Sequence, residues 1–162
     1  MPIRRGEKKT PIVNRGFFSL VALSILLFDQ LTKFWALHFL KPAVSVPIIP
    51  NFFHLTLVRN EGIAFGLFGG IEKILLVVIT LSIVLLIFFG LGADPRRWSN
   101  QWGIGLILGG ALGNWVDRVH AGAVIDFLDF RIWPIFNFAD TAITIGVGLF
   151  FLEMFKQRNH VS

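Results

Sequence analysis

The chain has 162 residues, of which 54% are apolar and 15% charged, with a mean hydropathy of +0.70 and a net charge of +5. A soluble domain of this size carries more charge, so the balance weighs against that class and favours one membrane-embedded domain over residues 1–162. The absence of cysteine excludes disulfides, thiol catalysis and thiolate metal sites.

The N-terminal segment carries Arg4, Arg5, Lys8, Lys9 and Arg15. Ahead of an apolar run, this cluster reads as a topology signal facing anionic lipid, not as a nucleic-acid footprint. A cleaved signal peptide is the competing reading of the stretch from Phe17 to Phe28, but no A-x-A-like site follows it.

Four segments approach the ~20 residues that cross a bilayer core. The first runs over about 17–37 and is interrupted by Asp29 and Lys33. Residues 38–70 follow, with Pro42, Pro47 and Pro50 forbidding a regular helix. Phe53 to Leu57 partly alternates, and Asn60-Glu61-Gly62 is a turn signal. This segment is expected to form a small strand-rich outer cap, with apolar Ile63 to Phe68 as a flap along the interface. The second span, 74–92, is an uncharged apolar run. The third, 102–119, is Gly-rich, which in a membrane span means close helix packing. The fourth covers 138–155. The predicted fold is therefore an all-α membrane protein with four transmembrane helices and an outer cap between helices 1 and 2. Trp35, Trp98, Trp102, Trp115 and Trp133 fall near span ends as an aromatic belt.

Four spans put both termini on one side. That side holds nine basic residues against six on the other. The positive-inside rule then places both termini in the cytoplasm.

A helix rises ~1.5 Å per residue, so depth can be counted from the inner surface. Asp29 lies ~20 Å in, Lys33 ~26 Å, Asn114 ~20 Å, Asp117 ~24 Å, Arg118 ~26 Å and Asp140 ~24 Å. Polar residues of three helices thus fall in one layer near the outer edge of the hydrocarbon.

Asp126 and Asp140 are the candidates for chemistry. They flank a predicted helix–helix connection and are embedded in apolar residues, where a carboxylate is costly. Two nearby carboxylates cannot both ionise cheaply, so one keeps a proton while the other activates a water. The plainer reading makes Asp126 a loop acid and Asp140 a first-turn acid after an Asn137 N-cap. Asn114 and Arg118 share one helix face, as do Asp29 and Lys33. They serve either as support for the carboxylates or as structural ion pairs, Asp29 with Lys33 and Asp117 or Asp29 with Arg118. Lys33 can also snorkel outward. Asn60 alone reads as a turn residue. Asp129 and Arg131 read as a solvated outer face. The scattered histidines give no metal-ligand spacing, and no G-x-S-x-G is present. A proton-coupled transporter or channel subunit is the rival function, using the same carboxylates as a relay.

Four blocks carry a family resemblance: Asp29-Gln30-Leu31-Thr32-Lys33; Asn60-Glu61-Gly62-Ile63-Ala64-Phe65; Gly109 to Arg118 with Val124-Ile125-Asp126-Phe127; and Phe136 to Ile143. In order and spacing the chain resembles the bacterial lipoprotein signal peptidases, also called signal peptidase II. The resemblance implies an intramembrane aspartic endopeptidase of the inner membrane. It implies cleavage of prolipoproteins just before a diacylglyceryl-modified cysteine, with the dyad at Asp126 and Asp140. The remaining motif positions match Asp29, Lys33, Asn60, Gly62, Asn114, Arg118 and Asn137. No metal or organic cofactor is implied. The expected partners are the lipid-modified substrate, membrane lipids and globomycin-type inhibitors, with the chain acting as a monomer and binding no nucleic acid.

Overall fold

The computed structural model describes residues 16–61, 71–92 and 98–159. Gly62, the expected flap, the N-terminal basic cluster, Arg96 and Arg97 lie outside them. So do the side chains of Lys156 and Arg158.

Four helices stand where the four apolar segments were expected: α1 (Phe17–Phe39), α2 (Ile71–Gly92), α3 (Trp98–Ala121) and α4 (Phe138–Asn159). Their surfaces are inverted relative to a water-soluble bundle. Leu20, Leu27, Leu31 and Phe34 of α1 are all more than half exposed, while Asp29 and Lys33 of the same helix are buried. On α2, Val77, Leu81, Leu85 and Phe88 are also exposed. Apolar area on this scale is stable only against lipid or another apolar partner. Among the described residues, α1 is the helix long and apolar enough to cross a membrane, and Leu76–Gly90 of α2 forms a shorter apolar run.

The centre of the bundle is α3, and its glycines explain why. A Cβ on Gly105 would meet Val21 of α1 at 2.7 Å, and one on Gly109 would meet the Ala22 carbonyl at 2.6 Å. On its other side, a Cβ on Gly110 would collide with the Ala139 carbonyl of α4. The glycine run therefore lets two helices approach α3 at backbone distance. The core on the α2 side is Phe18, Ala22, Ile83, Ile104 and Leu108.

Three strands cap the bundle: β1 (Ser45–Ile49), β2 (Phe53–Asn60) and β3 (Val124–Asp129), antiparallel in the order β1-β2-β3. The cap was expected from residues 38–70 alone. Its third strand comes from the α3–α4 connection, which showed no alternation because β3 is buried along its whole length. Gly122 makes the turn into β3 at φ 71°, and its N–H bonds the Arg118 carbonyl at 3.1 Å. That conformation ends α3 in the left-handed region, which glycine enters without strain. Ala36, Leu40, Leu57, Ile125 and Phe127 then clamp the sheet to the C-terminal end of α1.

Gly109→Val forces new methyls into the α1 backbone. It should lower unfolding stability in detergent by about 1–3 kcal/mol. At Gly148 no atom lies within 4 Å of a built Cβ. Gly148→Ala should therefore be neutral or stabilising by up to about 1 kcal/mol. Equal thermal shifts for the two variants would contradict the packing described.

Candidate active site

Asp126 sits in the middle of β3 and is 2% exposed. Asp140 sits in the first turn of α4. Asn137 joins them. Its Oδ1 accepts the Asp140 backbone N–H at 2.9 Å, and the Asp140 Oδ2 accepts the Asn137 N–H at 3.2 Å. This is a reciprocal capping box, with Asp in the place usually held by Glu or Gln. The Asn137 amide nitrogen donates to Asp126 Oδ1 at 2.7 Å, with Asn114 Oδ1 at 3.1 Å and the Ile125 carbonyl at 3.3 Å sharing its second hydrogen. One fully buried carboxamide thus starts α4 and holds the strand aspartate.

Each carboxylate has a second amide donor. Asn60, at the end of β2, donates to Asp126 Oδ2 at 2.9 Å. Asn114 donates to Asp140 Oδ1 at 2.7 Å. The orientation of Asn114 follows from its other partners, since its oxygen accepts from both Lys33 (3.0 Å) and Asn137 (3.1 Å).

Lys33 does not snorkel. It is 2% exposed, and its ammonium lies 2.8 Å from Asp29 and 2.7 Å from Asp117. With Asn114 it has three acceptors for three hydrogens. Asp29 also takes the Ala139 backbone N–H at 2.9 Å, and Asp117 takes that of Ile125 at 3.1 Å. Gln30 donates to Asp117 at 3.0 Å and to the Gly113 carbonyl at 3.2 Å. The expected Asp29–Lys33 pair is present. The alternative pairing of Asp117 or Asp29 with Arg118 is not, because Lys33 serves both carboxylates. Arg118 donates to the Asn114 carbonyl at 3.3 Å, and its buried Nε has no partner among the described residues.

The electrostatics of the two aspartates differ from those of the ion cluster. No salt bridge among the described residues reaches Asp126 or Asp140. Burial pushes the Asp126 carboxyl up to about 6. The Asn60 hydrogen bond opposes that rise, the charge of Asp140 adds to it, and Asn137 and Lys33 oppose it.

The remaining expectations resolve as follows. Asn60 is a strand-end ligand of Asp126, not only a turn residue. Asp129 is buried and not solvated, although Arg131 beside it is half exposed. Burial would raise the Asp129 carboxyl. Hydrogen bonds from the Arg131 backbone, Thr56 and the Arg131 guanidinium, with that cation's charge, bring it below the ordinary value. Gln30 was missed as a member of the cluster. The available signal was its place between Asp29 and Lys33 in the block that carries the family resemblance.

A family model describing signal peptidase (SPase) II matches residues 21–156. The chain belongs to the signal peptidase II family. The lipoprotein signal peptidase of Halothermothrix orenii is 43% identical over 142 residues, covering 85% of this chain and 94% of that one. That of Moorella thermoacetica is 44% identical over 130 residues, covering 80% and 87%. A bacterial membrane enzyme solved by the in meso method at 2.3 Å superposes with a TM-score of 0.81 at 34% identity, over 91% of this chain and 92% of the other. This signal peptidase II is accordingly a hydrolase and a membrane protease, and membership gives no support to the transporter reading.

Lys33→Met should destabilise the protein by about 3–5 kcal/mol, because it strands two buried carboxylates. Adding Asp29→Asn and Asp117→Asn to the same chain should recover part of the loss. Thermal unfolding in detergent measures both. A Lys33→Met protein as stable as the parent would remove the ion cluster from the account of stability.

Proposed function

We propose that the chain cleaves signal peptides from prolipoproteins just before a diacylglyceryl-modified cysteine, with Asp126 and Asp140 as the catalytic pair. One observation carries the assignment. The buried cation Lys33 is bound directly to Asp29 and Asp117, while Asp126 and Asp140 are held by carboxamides and make no salt bridge among the described residues. A carboxylate paired with a cation is a poor base. One held by neutral amides retains its basicity and repels a second charge beside it.

The reaction follows from that pairing. The two carboxyls share one proton and hold a water between them. The ionised carboxylate takes a proton as the water oxygen attacks the scissile carbonyl carbon. The protonated carboxyl gives its hydrogen to the carbonyl oxygen, forming a neutral tetrahedral diol. When the C–N bond breaks, the amine leaves with a proton from the first aspartate, and a diol proton returns to the pair. Arg118 and Asn114 lie beside this centre and favour developing negative charge. Asn60, at the end of β2, bounds the site on the Asp126 side.

The four helices are read as four spans, with both termini cytoplasmic and the site near the outer surface of the bacterial inner membrane. The basic-residue count and the single polar layer support this. A site at that depth suits a substrate with one part in lipid and one in water. The chain is taken to act as a monomer, to need no cofactor and to be blocked by globomycin-type cyclic peptides.

Asp126→Asn and Asp140→Asn should each lower cleavage of a lipid-modified preprotein in detergent by about 10²–10⁴-fold, read as a gel shift. Wild-type turnover by either variant would sink the pair. A further expectation concerns pH. The folded-state pKa of Asp126 is raised to about 6, so its proton is held below that pH and lost above it. The alkaline limb of kcat/KM should therefore begin near pH 6. Asn60 opposes the rise, so Asn60→Ala should move the limb upward. A shift downward would contradict the assigned hydrogen bond.

A further inference from the structure

Beside Asp140 lies a second feature, a groove of about 530 Å³. Phe52, Phe130 and Phe136 form one wall, with the Phe130 ring 5.5 Å from that of Phe52 and stacked on Phe136 at 5.8 Å. The turn into β2 and the segment after β3 meet there, at the same end of the sheet. The other wall is one stripe of α4: Asp140, Thr141, Thr144 and Ile145. The threonine hydroxyls are turned back onto the helix, Thr141 on the Asn137 carbonyl at 3.1 Å and Thr144 on that of Asp140 at 2.8 Å. The rim is Ile132 and Trp133, exposed by 88% and 69%.

Charge narrows what such a groove can hold. Among the described residues its lining contains no Lys, Arg or His, and the one ionisable group there is the Asp140 carboxyl. Arg131, next in sequence to the rim, is bound to Asp129 at 3.2 Å. A phosphate headgroup would be repelled by that carboxylate, whereas an uncharged glyceride is not, and its chains meet the aromatic and aliphatic lining. The volume lies within the range of single small-ligand pockets. The groove is also continuous with a carboxylate assigned to the reaction, so its occupant must be joined to the scissile bond or sit beside it.

We infer that this groove is the subsite for an acyl chain of the neutral diacylglyceryl group on the substrate cysteine, gripped between the aromatic end of the sheet and the Thr141–Ile145 stripe of α4. The inference rests on the cleavage reading above. The peptide is cut at the Asp126–Asp140 pair while its lipid is held on the Asp140 side, away from Lys33. Chain recognition by this wall supplies binding that is the same in ground and transition states, so it acts on KM and leaves kcat alone.

The test compares two synthetic substrates with one peptide sequence, bearing either long or four-carbon acyl chains on the cysteine. Ile145 is half exposed, so Ile145→Trp fills the groove without disturbing the core. It should raise KM for the long-chain substrate by about tenfold, with kcat and the short-chain KM changed by less than about twofold. Ile132→Asp, which places a carboxylate on the rim, should act in the same direction. Equal effects on both substrates, or no effect from either variant, would overturn the subsite. A binding measurement separates this outcome from failure of the cleavage reading. In nanodiscs, diacylglycerol with brominated chains should quench wild-type tryptophan fluorescence more than that of Trp133→Phe, and brominated phosphatidylglycerol should show no such difference. If wild type cleaves neither substrate but this selective quenching is seen, the cleavage reading falls and the glyceride groove stands. Equal quenching by the two lipids would make the groove ordinary lipid-facing surface and overturn the assignment.

Discussion

The ammonium of Lys33, held between two carboxylates in an otherwise apolar bundle, is the constraint on which the rest depends. Three helices and a strand meet through it. Asp29 extends the contact to α4 by accepting the Ala139 N–H, and Asp117 extends it to β3 by accepting the Ile125 N–H. Both donors are buried, and an unpaired buried N–H is itself destabilising. The cluster therefore does more than neutralise charge. It sets where α4 begins and where β3 runs, and those two elements carry Asp140 and Asp126.

The same economy of groups appears at Asn137. A serine or threonine there could cap the helix, but it could not also reach Asp126 with an amide hydrogen. A carboxamide offers an acceptor to the helix and donors to the strand. Asn114 plays a matching part, with its oxygen on the cation side and its nitrogen on Asp140. The two amides stand between the Lys33 ion cluster and the carboxylates proposed to share a proton. Low local dielectric makes that separation worthwhile, since a misplaced charge there is strongly penalised.

Much of this was legible in the residues. The positions of the four helices followed from apolar run length, and the common depth of Asp29, Lys33, Asn114 and Asp140 followed from helical rise. The close approach of α1 and α4 to α3 was readable in the glycines from Gly105 to Gly113. What escaped has physical causes. Val124–Asp129 is buried on both faces, so it lacks the alternation that marks a half-exposed strand. Lys33 could have reached the interface by its long stem, and only the placement of Asp117 on a different helix decides otherwise. Asp129 looked like a surface acid because its partner Thr56 lies 73 residues away. Gln30 stands inside the Asp29–Lys33 block, but its bonds to Asp117 and the Gly113 carbonyl join two helices that the sequence alone does not bring together.

The hydrogen bond from Ala139 to Asp29 joins residues 110 apart in the chain. During synthesis the first helix is in place long before the last, and until then Asp29 has only its own helix and α3 as neighbours. The Asn137 cap, the start of α4 and the position of Asp140 all come into being at the docking of the final helix. A chain released before that point holds most of the bundle and nearly all of its buried charge, yet has no second carboxylate to set against Asp126. On the proposed Asp126–Asp140 pairing, competence for hydrolysis belongs to the completed polypeptide and is not built up helix by helix.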